Sequence, residues 1–194
     1  MVAPVTLDGE AQAAVDAARS AADGKVVLVP RVDGAYGAHG VIATVEQVGR
    51  LPNGNTTTIL HARGRAQIGA GVAGAGAALW VQVSLVDESA PTDRTRELAS
   101  EYKSLAVSIL QQRGAWQFVD NVQRISDPSL LADTAGYAPY ISLDDKLWLL
   151  ATADVDARLA KLLELGRTHL AELAVSEQIR DDVREGMEKS QRSE

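Results

Sequence analysis

One change of period divides this chain. Before Ala90-Pro91-Thr92-Asp93 the apolar residues recur at every second position; after it they recur at every third or fourth. Alternate side chains point to opposite faces of a strand, whereas a spacing near 3.6 lines one face of a helix. The first half is therefore expected to be β-rich and the second half helical. In 194 residues, this predicts one unit over 1–89 and a second over 90–194.

In the first half, Val2 to Leu7 predicts a short strand and Asp8 caps a helix over Glu10–Ala22, with Ala11, Ala14, Val15 and Ala18 on one face. Asp23-Gly24 ends it. Lys25 to Val29 has the apolar run of a buried strand, and Pro30 to Gly40 reads as a loop punctuated by Gly34, Gly37 and Gly40. Val41 to Val48 alternates, and Arg50-Leu-Pro-Asn-Gly-Asn55 follows it. Asn-Gly favours the positive φ angles of a tight hairpin turn, so Thr56 to His61 is expected to return as the partner strand. Arg63 to Ile68 is a further strand or a bulged continuation. In Leu79 to Val86, Leu79, Val81, Val83 and Leu85 share one face. Short strands joined by hairpins, with one helix, suggest a small barrel or curled sheet.

The second half carries helix punctuation. Leu98, Tyr102, Leu105 and Ile109 form a stripe that Gly114 stops, and Phe118, Val122 and Ile125 form the next. Ser126-Asp127-Pro128 ends that segment and starts another, with Asp as cap and Pro where a missing N–H costs nothing. Gly136 closes it. Ser142 caps a helix with Leu143, Leu147 and Leu150 inward, and Asp154 caps the last. That helix is expected from about 155 to about Gln191, with Val155, Leu159, Leu162, Gly166, Leu170 and Leu173 in one stripe and Ile179, Val183 and Met187 continuing it sparsely. At about 1.5 Å per residue it exceeds about 50 Å, so its charged end should project.

Composition narrows the chemistry. There is no cysteine, which excludes disulfides and cysteine-based metal sites or nucleophiles. No long apolar run and no basic-then-apolar N-terminus predicts a membrane span or a secretory signal, and a cytoplasmic location is the expectation. The net charge of -7 argues against non-specific nucleic-acid binding. Gly69-Ala-Gly-Val-Ala-Gly74 matches G-x-G-x-x-G, but that fingerprint needs a helix after it. Here a strand pattern follows, which favours a flexible inter-strand loop over a nucleotide cradle. His39, His61 and His169 are scattered without a carboxylate-supported pair and read as surface or sheet residues. Asp144-Asp145 and Asp181-Asp182 read as helix-start and exposed-face charges. No G-x-S-x-G or S-x-x-K supports a serine nucleophile, so no catalytic residue is expected.

The aromatics carry the candidate site. Trp116 and Phe118 lie at one helix break, Tyr137 and Tyr140 at another, and Leu51-Pro52 at the hairpin. Large apolar side chains at turns either close the ends of a core or form a patch for apolar partner segments. Substrate contact is expected at Leu51, Pro52, Trp116, Phe118, Tyr137 and Tyr140.

Several stretches resemble the N-terminal domain of Lon, the ATP-dependent serine protease. Val45-Glu-Gln-Val-Gly-Arg-Leu-Pro-Asn-Gly-Asn55 is similar to its strand–hairpin. Ile125-Ser-Asp-Pro-Ser-Leu-Leu-Ala-Asp-Thr134 resembles its I-x-D-P-x-x-L-A-D segment. Lys146, Leu149, Leu150, Asp154, Val155, Arg158, Leu159, Leu162 and Leu163 stand on the matching positions of a following leucine-rich run. Val183 to Arg192 is similar to the V-x-x-x-M-E-K-x-Q-R that enters the family's long connecting helix. The resemblance implies an α+β fold: a small β-barrel-like, PUA-like subdomain with one helix, then an α-helical bundle ending in a long projecting helix. It also implies a non-catalytic domain that recognises unfolded or damaged polypeptides and supports assembly of a homohexamer. No Walker A motif or Ser–Lys pair is present, so no cofactor is expected in this fragment, with ATP and Mg belonging to the parent protease. The family's opening P-L-R-x-x-V-x-x-P-G stretch has no counterpart, so a sheet short of one strand, or a trimmed chain, is expected. A free-standing PUA-like RNA-binding protein is the alternative.

Overall fold

The structure is a computed structural model and describes residues 1–21 and 23–191. The chain forms two units: one of Met1–Glu88 with Leu147–Ala153, the other of Ser89–Lys146 with the chain from Asp154 onward.

The first unit is an antiparallel sheet with one helix. Its strands are β1 (Val2–Thr6), β2 (Lys25–Leu28), β3 (Arg31–Val32), β4 (Ala35–Tyr36), β5 (His39–Arg50), β6 (Thr56–Val72) and β7 (Trp80–Leu85); α1 spans Gly9–Ala21. The expected helix end at Ala22 lies outside the described residues. The order is β1-β6-β5-β2, with β7 also on β6 and β3–β4 a separate pair. Strand β6 is bent rather than broken. Register shifts leave Arg63 as an extra residue against Ile42/Ala43, Glu46 as an extra residue on β5, and one more residue between Ile68 and Gly71. Such bulges bend and twist the strand that carries them. They let one long strand pair β1 along its first part and β7 along its last. The bulged continuation expected at Arg63 to Ile68 is what forms.

Three loop expectations are corrected. Pro30 to Gly40 contains the β3–β4 hairpin, because Asp33 (φ 50) and Gly34 (φ 81) make the turn that reverses it. Leu51 to Asn55 closes β5 onto β6 without the two-residue turn that Asn-Gly favours. Gly54 N donates to Leu51 O at 2.9 Å, and of the central residues only Gly54 (φ 86) is left-handed. Pro52 at the second position suits the ordinary turn that precedes such a glycine. Gly69 to Val72, expected as loop, is strand. Gly69 fits because a Cβ there would lie 3.3 Å from Gln82 O.

The sheet core is small-residue rich: Val15 and Ala18 of α1 with Ala43, Thr58, Leu60 and Ala66 are buried. Asp8 caps α1 through Ala11 N at 2.8 Å. Arg65 donates from NH1 to Glu88 Oε1 at 2.8 Å and from Nε to Leu150 O at 3.3 Å, which ties Leu147–Ala153 to β6.

The second unit is helical: α2 (Asp93–Gln112), α3 (Val119–Arg124), α4 (Pro128–Asp133), α5 (Leu143–Ala151, continuing into the first unit) and α6 (Val155–Gln191). Caps begin them as expected. Asp127 accepts from Ser129 N with Pro128 next to it, Ser142 accepts from Asp145 N, and Asp154 accepts from Asp156 N. Thr92 and Thr95 cap α2 reciprocally. The stripe of α6 packs on α2, where Gly166 lets the helices approach: a Cβ there would sit 2.8 Å from Leu105 Cδ2. Leu159, Leu162 and Leu163 are buried beside Leu131, Ala132 and Ala135. Arg158 is buried among them at 0% exposure. Its guanidinium is held by Asp133 Oδ1 at 2.8 Å and Ser129 Oγ at 3.1 Å. A buried guanidinium is tolerated only with such partners. From Ala174 to Ser190 every side chain of α6 is exposed.

Two substitutions test this packing. Gly40→Ala places a Cβ 2.4 Å from Leu28 O, a backbone atom that cannot step aside; it should cost at least about 2 kcal/mol in urea denaturation. Arg158→Ala leaves Asp133 without its cation and should cost about 3 kcal/mol by the same measurement.

Candidate functional site

The six expected contact residues divide between the two units. Leu51 and Pro52 form the exposed tip of the β5–β6 hairpin. The aromatic four belong to the helical unit. Helix α2 stops at Gly114 (φ 72), with Ala115 N donating back to Leu110 O at 2.8 Å. The chain then makes a single 3₁₀ turn, Trp116–Phe118, before α3. A turn this short has no buried face, so Trp116 is 63% and Phe118 51% exposed. A second 3₁₀ turn, Thr134–Tyr137, follows α4 and leaves Tyr137 66% exposed.

Tyr140 differs. It is half-buried and stacks on His169 of α6, rings 4.2 Å apart and 4° from parallel. Arg113, at the end of α2, reaches His169 Nε2 at 3.2 Å. Glu172 lies 3.7 Å from His169 Nδ1 on the same helix. The reading of His169 as a surface or sheet residue is corrected: its side chain is an organising ring that anchors both aromatic breaks to α6. Sequence spacing could not reveal this, because the three side chains come from segments far apart in the chain. Tyr140 also neighbours the buried Tyr102. Burial, then the neighbouring Tyr140, pushes the Tyr102 hydroxyl well above its ordinary value; burial raises Tyr140 also.

The sheet unit exposes a set of apolar residues that spacing placed on one strand face without showing that the face is bare. Leu79 (64%), Val83 and Leu85 (70%) of the β7 row are exposed. Beside them lies a cavity of about 240 Å³ walled by α1, β2 and β7. A signal was available: no Asp, Glu, Lys or Arg occurs between Arg65 and Asp87.

The Gly69–Gly74 stretch enters an antiparallel hairpin, with no helix N-terminus after it to meet a phosphate. His61 Nδ1 lies 2.8 Å from Glu46 Oε1, a carboxylate–histidine pair not visible in the sequence, because the bulge at Glu46 turns it toward His61. Among the described residues no group of three His, Asp or Glu side chains could hold a metal ion, and no helix is long and apolar enough to cross a membrane.

Comparison with known proteins decides the family. The ATP-dependent protease La (LON) substrate-binding domain family matches residues 1–166. The chain belongs to that family. It is 55% identical over 192 residues to the Lon protease of Salinispora arenicola and 52% identical over 192 residues to that of Mycolicibacterium smegmatis, covering 99% of this chain each time. The match takes up 25% of each of those relatives, so the chain spans about a quarter of their length. The solved N-terminal domain of a Mycobacterium avium complex Lon protease superposes with a TM-score of 0.80 at 47% identity, over 87% of this chain and 91% of that one. The Lon N-terminal domain protein of Xanthomonas campestris shares the fold, with a TM-score of 0.57 at 15% identity, over 84% of this chain and 89% of that one. The antiparallel sheet followed by a helical part with a long last helix is thus the Lon N-terminal fold. These comparisons offer no support for the RNA-binding alternative.

The tyrosine pair makes a pH prediction. A buried Tyr102 held in its neutral form resists ionisation that the unfolded chain undergoes freely. Its raised value therefore stabilises the fold fully below about pH 10 and loses that contribution as the pH rises beyond it. Urea midpoints should fall steeply above about pH 10, and Tyr102→Phe should flatten that fall.

Proposed function

We propose that this chain captures unfolded or damaged polypeptides for an ATP-dependent Lon-type serine protease of which it is the N-terminal, non-catalytic domain. The observation that carries the reading is the exposure of Trp116, Phe118 and Tyr137 on turns rooted in a packed helical unit. Exposed aromatics on rigid supports bind apolar segments with little ordering cost. The family's own description, a substrate-binding domain, supports the same reading. Leu51, Pro52 and Tyr140 complete the proposed contact set, with Tyr140 offering only the part of its ring that His169 leaves free.

The division of labour follows. ATP and Mg, and the Ser–Lys chemistry, would belong to other parts of the parent. Several copies around a homohexamer would each bind weakly, and linkage would multiply their affinity. The exposed length of α6 beyond Leu173 would join each copy to the rest of the assembly. The cytoplasm, where damaged chains arise, is the proposed location.

A fluorescence-anisotropy titration against a labelled, permanently unfolded polypeptide tests this, with the folded form of the same polypeptide as control. Saturable, weak binding to the unfolded form alone, little changed by salt, is expected. Trp116→Ser with Phe118→Ser should weaken it roughly tenfold while the melting temperature holds. A large fall in melting temperature would instead assign both rings to the core, and equal binding of the folded control would refute recognition of unfolded chains.

A further inference from the structure

Among the described residues the outer edge of β7 is unpaired, and it carries no formal charge. Val86 N donates to Arg65 O at 3.1 Å, so the backbone of Val86 faces β6. Backbone direction alternates along a strand, which turns Ser84 and Gln82 toward β6 as well. The closeness of Gln82 O to Gly69 agrees with this. Val81, Val83 and Leu85 must then direct their N–H and C=O groups away from the sheet. Natural proteins protect such edges with charges, Pro, bulges or a covering element. Here no charge and no Pro occurs from Ala66 to Val86, and the bulge near Gly69 is on β6.

We propose that this edge accepts an extended, uncharged apolar polypeptide segment as an added strand, whose alternate side chains enter the neighbouring cavity. The proposal rests on the capture reading and names the mode of recognition. Three features select that occupant. Free N–H and C=O groups at strand spacing are satisfied by another extended backbone, whatever its sequence, which suits a domain that must accept many chains. The cavity offers Ala14, Ala17, Val27, Leu79 and Val81 to an entering side chain, and among the described residues Lys25 is the only charged one lining it. Charge complementarity points the same way: a band without formal charge gives an incoming carboxylate or ammonium no partner for the water it would lose. An uncharged segment loses nothing comparable.

The test uses a labelled peptide of about ten residues alternating Val and Thr, and its analogue N-methylated at alternate amides. N-methylation keeps the side chains and removes backbone donors along one edge. Both peptides compete with the labelled unfolded polypeptide for the whole chain. The parent peptide is expected to compete roughly tenfold better than the analogue. Val83→Pro removes one outward N–H and spares the bonds to β6, so it should abolish that difference with little change in melting temperature. Leu85→Lys should weaken the parent peptide comparably. Should Val83→Pro fail to fold, the peptide pair gives the same readout on the unaltered protein. Binding of the unfolded polypeptide with equal competition by both peptides overturns edge pairing and leaves capture standing. No binding of the unfolded polypeptide at all overturns the capture reading itself. A wild-type dimer in sedimentation that Val83→Pro dissolves, with no peptide competition, assigns the edge to a second copy and also overturns the proposal.

Discussion

Strand β6 must have both of its edges satisfied, and the sheet unit follows from how that is done. Hairpin partner β5 takes one edge along most of its length. Strands β1 and β7 share the other, β1 along the first part and β7 along the last. One strand long enough to serve three partners bends at its bulges, and the bends carry its last part away from its first. The consequence is that, among the described residues, β7 is paired on one side only. Its apolar residues then face solvent and the cavity under α1.

The helical unit answers a different constraint. Its core joins buried leucines and alanines to Tyr102, Ile109, Ile141 and Val155, with Arg158 buried beside them, and the short elements between α2 and α6 turn often. Each turn places one or two large side chains where no second layer exists to cover them. Trp116, Phe118 and Tyr137 are therefore exposed because of where the chain reverses. The same reversals are held firmly: Arg113 and Tyr140 both reach His169, so each break is anchored to the longest helix. Rigid support with exposed rings is a combination that favours binding at low entropic cost.

Much of this was legible along the chain. The switch of period near Pro91, the caps at Asp8, Asp127, Ser142 and Asp154, and the long last helix are local signals, and local signals survive folding when nothing competes with them. Family membership was legible too, because it is written in short runs such as Ile125 to Thr134. The Asn-Gly turn shows the limit. Its preference for a two-residue reversal lost to Pro52, which set a wider turn with Gly54 alone left-handed.

The sequence by itself determined most of the helices and the longer strands, and where helices such as α4, α5 and α6 start. Those properties depend on neighbours within a few positions. Tertiary structure decided which apolar residues stay bare. Nothing in the alternation of Leu79 to Leu85 says whether its face is covered, because the covering element would come from elsewhere in the chain. Likewise nothing near His169 announces that Tyr140 will stack on it. Exposure and long-range pairing are properties of the packed chain, and only the packed chain displays them.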